Sequence, residues 1–181
     1  MKRILFITPF TPCNKDAGSN YTKQLLEKLS LSNQIDLCYF KYKNDPLYNP
    51  SNKNIQIIKK FSNNKLLKIT NIIFFPFLFP LFTVRFNWII LIQLYYLTRK
   101  RNYDIIYCDF SQTFLYAKFL RHNNIILMSH DVIYQRFSRK KINFKTWIKY
   151  SENWVLHGKN KHTFTFSPKD NQLLSTLYDI K

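Results

Sequence analysis

Ser129-His130-Asp131 is the densest run of catalytic residue types in the chain. It cannot act as a hydrolase triad, because neighbours on an extended segment point to opposite faces while a triad converges. No G-x-S-x-G elbow accompanies it. His130 closes an apolar run, so at a strand end it could hydrogen-bond a ligand hydroxyl; a satisfied structural histidine reads equally well. Gly18-Ser19 is the second candidate, at one of only two glycines. A glycine just ahead of a helix lets backbone N–H groups approach an anion, and the helix N-terminus favours negative charge. The same pair also reads as a simple turn. His122, His157 and His162 have no metal-ligand spacing. Cys13, Cys38 and Cys108 are far apart, and the chain has neither C-x-x-C nor H-E-x-x-H. The expectation is three reduced, buried thiols in a cytosolic protein, and no metal.

These residues need elements to hold them. Short apolar runs, β-branched or aromatic, predict strands at Arg3–Thr8, Ile35–Phe40, Ile55–Lys59, Asp104–Cys108, Ile125–Ser129 and Thr163–Phe166. Between them, periodicity and caps predict helices at Ser19–Leu31 (with Ser19 as N-cap), Trp88–Thr98, Ser111–Arg121, Phe144–His157 and Pro168–Leu177. In the fourth helix Phe144, Trp147, Ile148, Ser151, Trp154 and Val155 share one face, and Gly158 is placed to end it. Strands alternating with helices predict an α/β, Rossmann-like three-layer sandwich around a mainly parallel sheet. Ligands of such sheets bind beyond the carboxyl ends of the strands. The special residues fall there: the loop into Gly18-Ser19 after the first strand, Asp109 after the fourth, His130 and Asp131 after the fifth, and Ser167 after the sixth. Asp109, Asp131 and Ser167 are therefore the expected ligand contacts around His130. No internal repeat is visible, and one domain over residues 1–181 is expected, with an apolar and basic segment at 64–101 inside it.

The chain has 181 residues, with 28 Lys+Arg against 10 Asp+Glu and a net charge of +18. Its 46% hydrophobic and 18% aromatic content excludes disorder despite that charge. Two glycines exclude collagen, Gly-rich linkers and a G-x-G-x-x-G site. The basic residues are dispersed, which reads either as a solvated surface or as attraction to phosphate in a nucleotide, a lipid head group or a nucleic acid. No RNP-like or helix-turn-helix signature is present, so nucleic-acid binding would rest on charge alone and is not expected. The apolar run after Met1-Lys2-Arg3 stops at Thr8-Pro9, too short for a secretory signal. The second apolar stretch, 72–97, is broken by Pro76 and Pro80. A fused span would place Arg85 near its centre, at a cost of about 2.5–3.5 kcal/mol. A loop followed by a core helix is the preferred reading. Peripheral attachment to an anionic membrane surface comes second, with Phe75, Phe77, Phe79, Arg85, Trp88, Arg99, Lys100 and Arg101 as the contacts. A true span comes third.

Several motifs follow one another in a recognisable order. They are the opening strand with its Pro-containing loop into Ala17-Gly18-Ser19; Tyr103-Asp104-Ile105-Ile106-Tyr107-Cys108-Asp109; Ile126-Leu127-Met128-Ser129-His130-Asp131; Trp147 to Trp154 with Glu152; and Thr165-Phe166-Ser167-Pro168-Lys169-Asp170 with Leu173 and Leu174. In this order they resemble the N-terminal, acceptor-side half of a family 4 glycosyltransferase with the GT-B fold, with a loose fit between Asn44 and Asn102. The resemblance implies a nucleotide sugar and a glycan or lipid-linked acceptor as partners, sugar transfer in surface-polysaccharide synthesis, and no metal. It puts Gly18 and Ser19 near the donor diphosphate and His130, the catalytic candidate, near the transferred sugar. The apolar and basic middle segment is similar to regions that bring such enzymes to membrane-bound acceptors, so the expectation is a cytoplasmic protein, either free or peripheral on the inner face of the membrane. Two departures stand out. Ala17 replaces the first glycine of the usual pair and adopts positive φ less cheaply. The Lys/Arg and E-x7-E of a donor-binding domain are absent, as expected of a chain truncated before that domain, and with them goes the stabilisation of the leaving diphosphate. Either a separate donor-domain chain completes the enzyme or the chain is left over from a truncated gene, and no transfer is expected from this chain alone. The alternative is a non-catalytic membrane- or glycolipid-binding module.

Overall fold

The computed structural model describes residues 1–62, 65–78, 82–83, 85–139, 144–158 and 161–180; Phe79 lies outside them, as do the side chains at 65–68, 74 and 77. Six strands form one sheet: β1 (Arg3–Thr8), β2 (Gln34–Phe40), β3 (Ile55–Phe61), β4 (Ile105–Asp109), β5 (Ile125–Ser129) and β6 (Lys161–Thr165). Their order is β3-β2-β1-β4-β5-β6, and every neighbouring pair is parallel. Seven α-helices are described: α1 (Ala17–Leu29), α2 (Lys65–Phe74), α3 (Trp88–Lys100), α4 (Ser111–Ala117), α5 (Ile133–Ser138), α6 (Lys145–Leu156) and α7 (Pro168–Tyr178). This is a Rossmann-like α/β architecture, as the alternation predicts.

The central strands are apolar on both faces because helices cover both. Leu5, Ile7, Cys38, Phe40, Ile106, Cys108 and Leu127 point into one cluster, which Ile90 and Leu94 of α3, Phe114 of α4, Ile148 and Val155 of α6, and Leu174 of α7 complete. Ile4, Phe6, Ile35, Leu37, Tyr39, Tyr107 and Met128 point to the other face, where α1 packs through Leu26 with Tyr21, Leu25 and Leu29 beside it. Phe164 on β6 and Phe166 just after it stay 54% and 47% exposed.

In the described part of 64–101, Leu78, Phe82, Phe86, Ile90 and Leu94 are all buried, at a four-residue spacing. The Asn71 side-chain amide donates to the Thr83 carbonyl at 3.2 Å and to the Phe86 carbonyl. Asn87 caps α3 by accepting from the Ile89 amide at 2.9 Å. The expectation of a core helix here is met. The α2 helix was not expected; it ends just before Pro76, where a helix must stop. Among the described residues, no helix is long and apolar enough to cross a membrane.

Three local expectations need correction. Asp16, not Ser19, is the N-cap of α1. Ala17 and Gly18 are already helical and neither glycine has positive φ, so Ala17 carries no left-handed penalty. Gly158 follows the C-cap of α6 without a left-handed turn; what demands glycine is packing, since a Cβ there would lie 2.7 Å from Phe114 Cζ. The buried face of α6 is also shifted from the expected one. Phe144 and Trp147 are exposed, while Ile148, Ser151, Glu152, Val155 and Leu156 are buried.

Glu152 explains the shift. Its Oε1 accepts from the Ile133 amide at 2.7 Å, and its Oε2 from the Tyr134 amide and the Tyr178 hydroxyl, each at 2.7 Å. One carboxylate thereby joins α5, α6 and α7. Burial pushes its carboxyl up to about 7 even though all three donors favour the charged form.

Candidate functional site

In a sheet of this order, the connection from β1 departs to one face through α1 and that from β4 to the other through α4. The carboxyl ends of β1 and β4 therefore flank a crevice, the usual ligand position in open parallel sheets. Thr8 ends β1 and Asp109 ends β4, and Thr8 Oγ1 donates to Asp109 Oδ2 at 3.0 Å. Thr22 of α1 donates to the same oxygen at 2.5 Å, and His130 Nε2 meets Asp109 Oδ1 at 2.6 Å. The Asp109 carboxylate is fully buried, and the His130 side chain is 9% exposed.

Aromatic rings fix the imidazole plane. Phe110 lies flat on it, with centroids 3.5 Å apart and an interplanar angle of 7°. Tyr21 and Phe166 meet it edge-on at 5.4 and 4.6 Å. Phe110 has φ 69° and ψ 149°, a region that costs a side-chain-bearing residue about 1–3 kcal/mol. That backbone turn comes directly after Asp109 and lays the ring over His130. Gly18 supports the same stack: a Cβ there would lie 3.3 Å from Phe110 Cζ. Glycine at 18 thus makes room for a ring.

Beside this cluster, the loop after β1 and the start of α1 line a pocket of about 230 Å³ with Phe10, Thr11, Lys15, Asp45 and Arg85. Asp45 accepts from the Tyr42 amide at 3.1 Å, Thr11 Oγ1 at 3.0 Å and Lys15 Nζ at 3.1 Å. Burial raises its carboxyl, but these donors outweigh burial and hold it below the ordinary range. The guanidinium of Arg85 stands over the Phe10 ring at 5.1 Å. The pocket sets the cations Lys15 and Arg85 against the acids Asp16 and Asp45, with Lys15 paired to Asp45. Two larger hollows, of about 840 and 460 Å³, open at the opposite edge, around His157 and Gly158. Their lysines are engaged in ending α6: Lys118 donates to the Trp154 carbonyl and Lys161 to the Leu156 carbonyl. Burial lowers Lys161 to about 8.

Of the residues expected in the site, His130, Gly18 and Asp109 come together. The Asp109 side chain is fully buried, and its carboxylate faces Thr8, Thr22 and His130. Ser19 is 2% exposed and closes a capping box with Asp16: its amide donates to Asp16 Oδ1 at 2.8 Å and its hydroxyl accepts from the Asp16 amide at 3.2 Å. An acid therefore already occupies the α1 N-terminus. Asp131 pairs with Arg136 at 2.9 Å. Ser167 caps α7, accepting from the Asp170 amide at 3.1 Å. Thr8, Thr22 and Phe110 escape a reading by sequence. A polar residue ending an apolar strand was the one available signal, and it fits only Thr8.

The proposed membrane contacts scatter. Phe75 packs against Phe86 in the core, and Arg85 lines the crevice pocket. Arg101 donates to Asp36 Oδ2 at 2.8 Å, where Arg3 at 3.1 Å and the Tyr103 hydroxyl at 2.7 Å converge. Trp88, Arg99 and Lys100 are exposed. The Phe77 side chain and Phe79 lie outside the described residues. Cys38 and Cys108 are buried, Cys13 is half-buried, and all three are free. Among the described residues, no cluster of His, Cys, Asp or Glu could hold a metal ion.

The strand order and crevice define a Rossmann-like α/β domain. Sucrose-phosphate synthase from Thermosynechococcus elongatus has this fold over 98% of the chain, at a TM-score of 0.66 and 14% identity. The chain spans 45% of that protein's length. No family model and no curated protein matches the sequence.

Proposed function

We propose that this chain is the acceptor-side half of a family 4-like glycosyltransferase, binding a nucleotide sugar and a glycan or lipid-linked acceptor in the crevice between β1 and β4. The observation that carries the reading is His130: an imidazole held by Asp109 and three aromatic rings at the mouth of that crevice, in a fold shared with half of a sucrose-phosphate synthase. The cations Lys15 and Arg85 at its side suit the charge of a diphosphate. Phe166, exposed beside His130, and Phe164, exposed on β6, suit burial against a second Rossmann-like unit that carries the donor-binding groups this sequence lacks. The test is titration calorimetry of the purified chain with a panel of nucleotide sugars, followed by His130→Ala. Binding that the substitution weakens about tenfold or more supports the reading. Binding that His130→Ala leaves unchanged, or turnover by the purified chain alone, refutes it.

A second reading has its own observation. Ile69, Ile72 and Ile73 of α2 and Trp88, Ile89, Ile92, Tyr95 and Tyr96 of α3 are exposed, and Arg99 and Lys100 close α3. Exposed apolar and aromatic side chains next to cations suit the surface of an anionic bilayer, and would bring the crevice to a lipid-linked acceptor.

A further inference from the structure

We infer that Asp109 is a positioning residue that fixes the His130 proton on Nε2, so that Nδ1 faces the crevice as a hydrogen-bond acceptor. The inference deepens the proposed reading of the crevice as a sugar site, and rests on it for the identity of the ligand. A carboxylate only accepts. Its Oδ2 is already filled by the Thr8 and Thr22 hydroxyls, so Oδ1 is the oxygen that remains for the imidazole, and the 2.6 Å contact requires Nε2 to donate. The partner of one ring nitrogen sets the role of the other. Among the described residues, Nδ1 has no hydrogen-bond partner, and it is not a buried unsatisfied atom.

The surroundings hold this arrangement. Phe110 stacked on the ring and Tyr21 and Phe166 at its edges oppose rotation of the imidazole. The two threonines oppose rotation of the carboxylate. Thr22 also lies 3.0 Å from the Gly18 carbonyl, so the site is tied to the first turn of α1. The consequence is chemical. In its neutral form the imidazole, with Nε2 donating to Asp109, offers the Nδ1 lone pair to an O–H or N–H group and has no proton there for a phosphate oxygen. In that form His130 reads a hydroxyl, and the anionic part of a nucleotide sugar must be held elsewhere, for which Lys15 and Arg85 in the pocket beside this cluster are candidates.

The test reads the proton directly. The full-length chain is labelled with ¹⁵N, and long-range ¹H–¹⁵N correlation spectra are recorded at a pH where the histidines are neutral. His130→Gln identifies the His130 signals among the four histidines. Nε2 is expected to be pyrrole-type and Nδ1 pyridine-type, with at least about a tenfold preference for that tautomer. Asp109→Asn, whose side-chain NH₂ can turn toward the ring, is expected to shift the population toward Nδ1–H. A wild-type spectrum with the proton on Nδ1, or with the two tautomers equally populated, overturns the assignment. Should Asp109→Asn not fold, Thr22→Val loosens the carboxylate instead; a minor Nδ1–H tautomer is expected, and an unchanged spectrum counts against the assignment. The tautomer is read on the protein alone. A chain that binds no nucleotide sugar would therefore refute the functional reading and leave this measurement standing.

Discussion

Glu152 makes the pH dependence of stability calculable. Burial lifts its carboxyl from 4.5 to about 7 in the folded chain. A carboxyl raised on folding binds more protons in the native state, so its contribution is fully present below about pH 4.5 and is lost as pH rises through about 7. The shift of about 2.5 pH units, at about 1.4 kcal/mol each, amounts to roughly 3 kcal/mol lost between pH 4.5 and pH 8. For a chain of this length that is a fall of roughly 6–12 °C in Tm. Other groups titrate over the same range, so the informative quantity is a difference. Glu152→Gln is a neutral isostere of the protonated acid and cannot titrate. Urea unfolding of both proteins at half-unit steps from pH 5 to pH 8 should show wild type losing about 3 kcal/mol relative to the variant, most steeply between pH 5 and 7. A difference that stays flat, or that grows in favour of wild type as pH rises, would mean that the three donors on the carboxylate outweigh its burial, and the reasoning would fail.

Two further expectations rest on packing and on exposed surface. Gly158→Ala drives a Cβ to 2.7 Å from the fully buried Phe114 ring and should destabilise by about 1–3 kcal/mol in urea unfolding, while Phe114→Leu in the same chain should recover part of the loss; equal losses in the single and double variants would show that the ring is not the obstacle. If α2 and α3 contact a bilayer, the chain should sediment with anionic vesicles and not with neutral ones, and Ile73→Glu with Trp88→Glu should weaken that binding at least about tenfold; indifference to lipid charge, or an unaffected double variant, removes the second reading.

The exposure of Trp88 and Ile73 has a counterpart in residues that were readable in advance. At 78, 82, 86, 90 and 94, four positions apart, an apolar residue is buried, and that spacing is present in the sequence. Arg85 and Arg101 look alike in sequence, as cations in an apolar segment. Only the fold sends one to the pocket beside the α1 N-terminus and the other to Asp36 on β2. The α2 helix was hidden for a related reason. Its β-branched residues, Ile69-Thr70 and Ile72-Ile73, favour a strand by propensity, and the tie from Asn71 to the Thr83 and Phe86 carbonyls comes from residues beyond the helix.

The sequence alone determines the α/β alternation and the sheet. A strand covered on both faces must be a short apolar run, and a helix between strands must break that pattern, so composition at each position carries the information. It also determines that the polar residues gather at the carboxyl ends of the strands. It does not determine which of them meet. Asp109 and His130 lie 21 residues apart, Thr8 and Asp109 lie 101 apart, and no local rule joins them. A buried carboxylate is stable only where several donors converge on it, and that convergence exists only once the strand order places β1 beside β4 and α1 above both. The same holds for Glu152, a charged residue on the buried face of its helix, whose place makes sense only when the amides of α5 and the Tyr178 hydroxyl arrive together. Tertiary structure decides these positions because the free energy that permits a buried charge belongs to its partners and not to its neighbours in the chain.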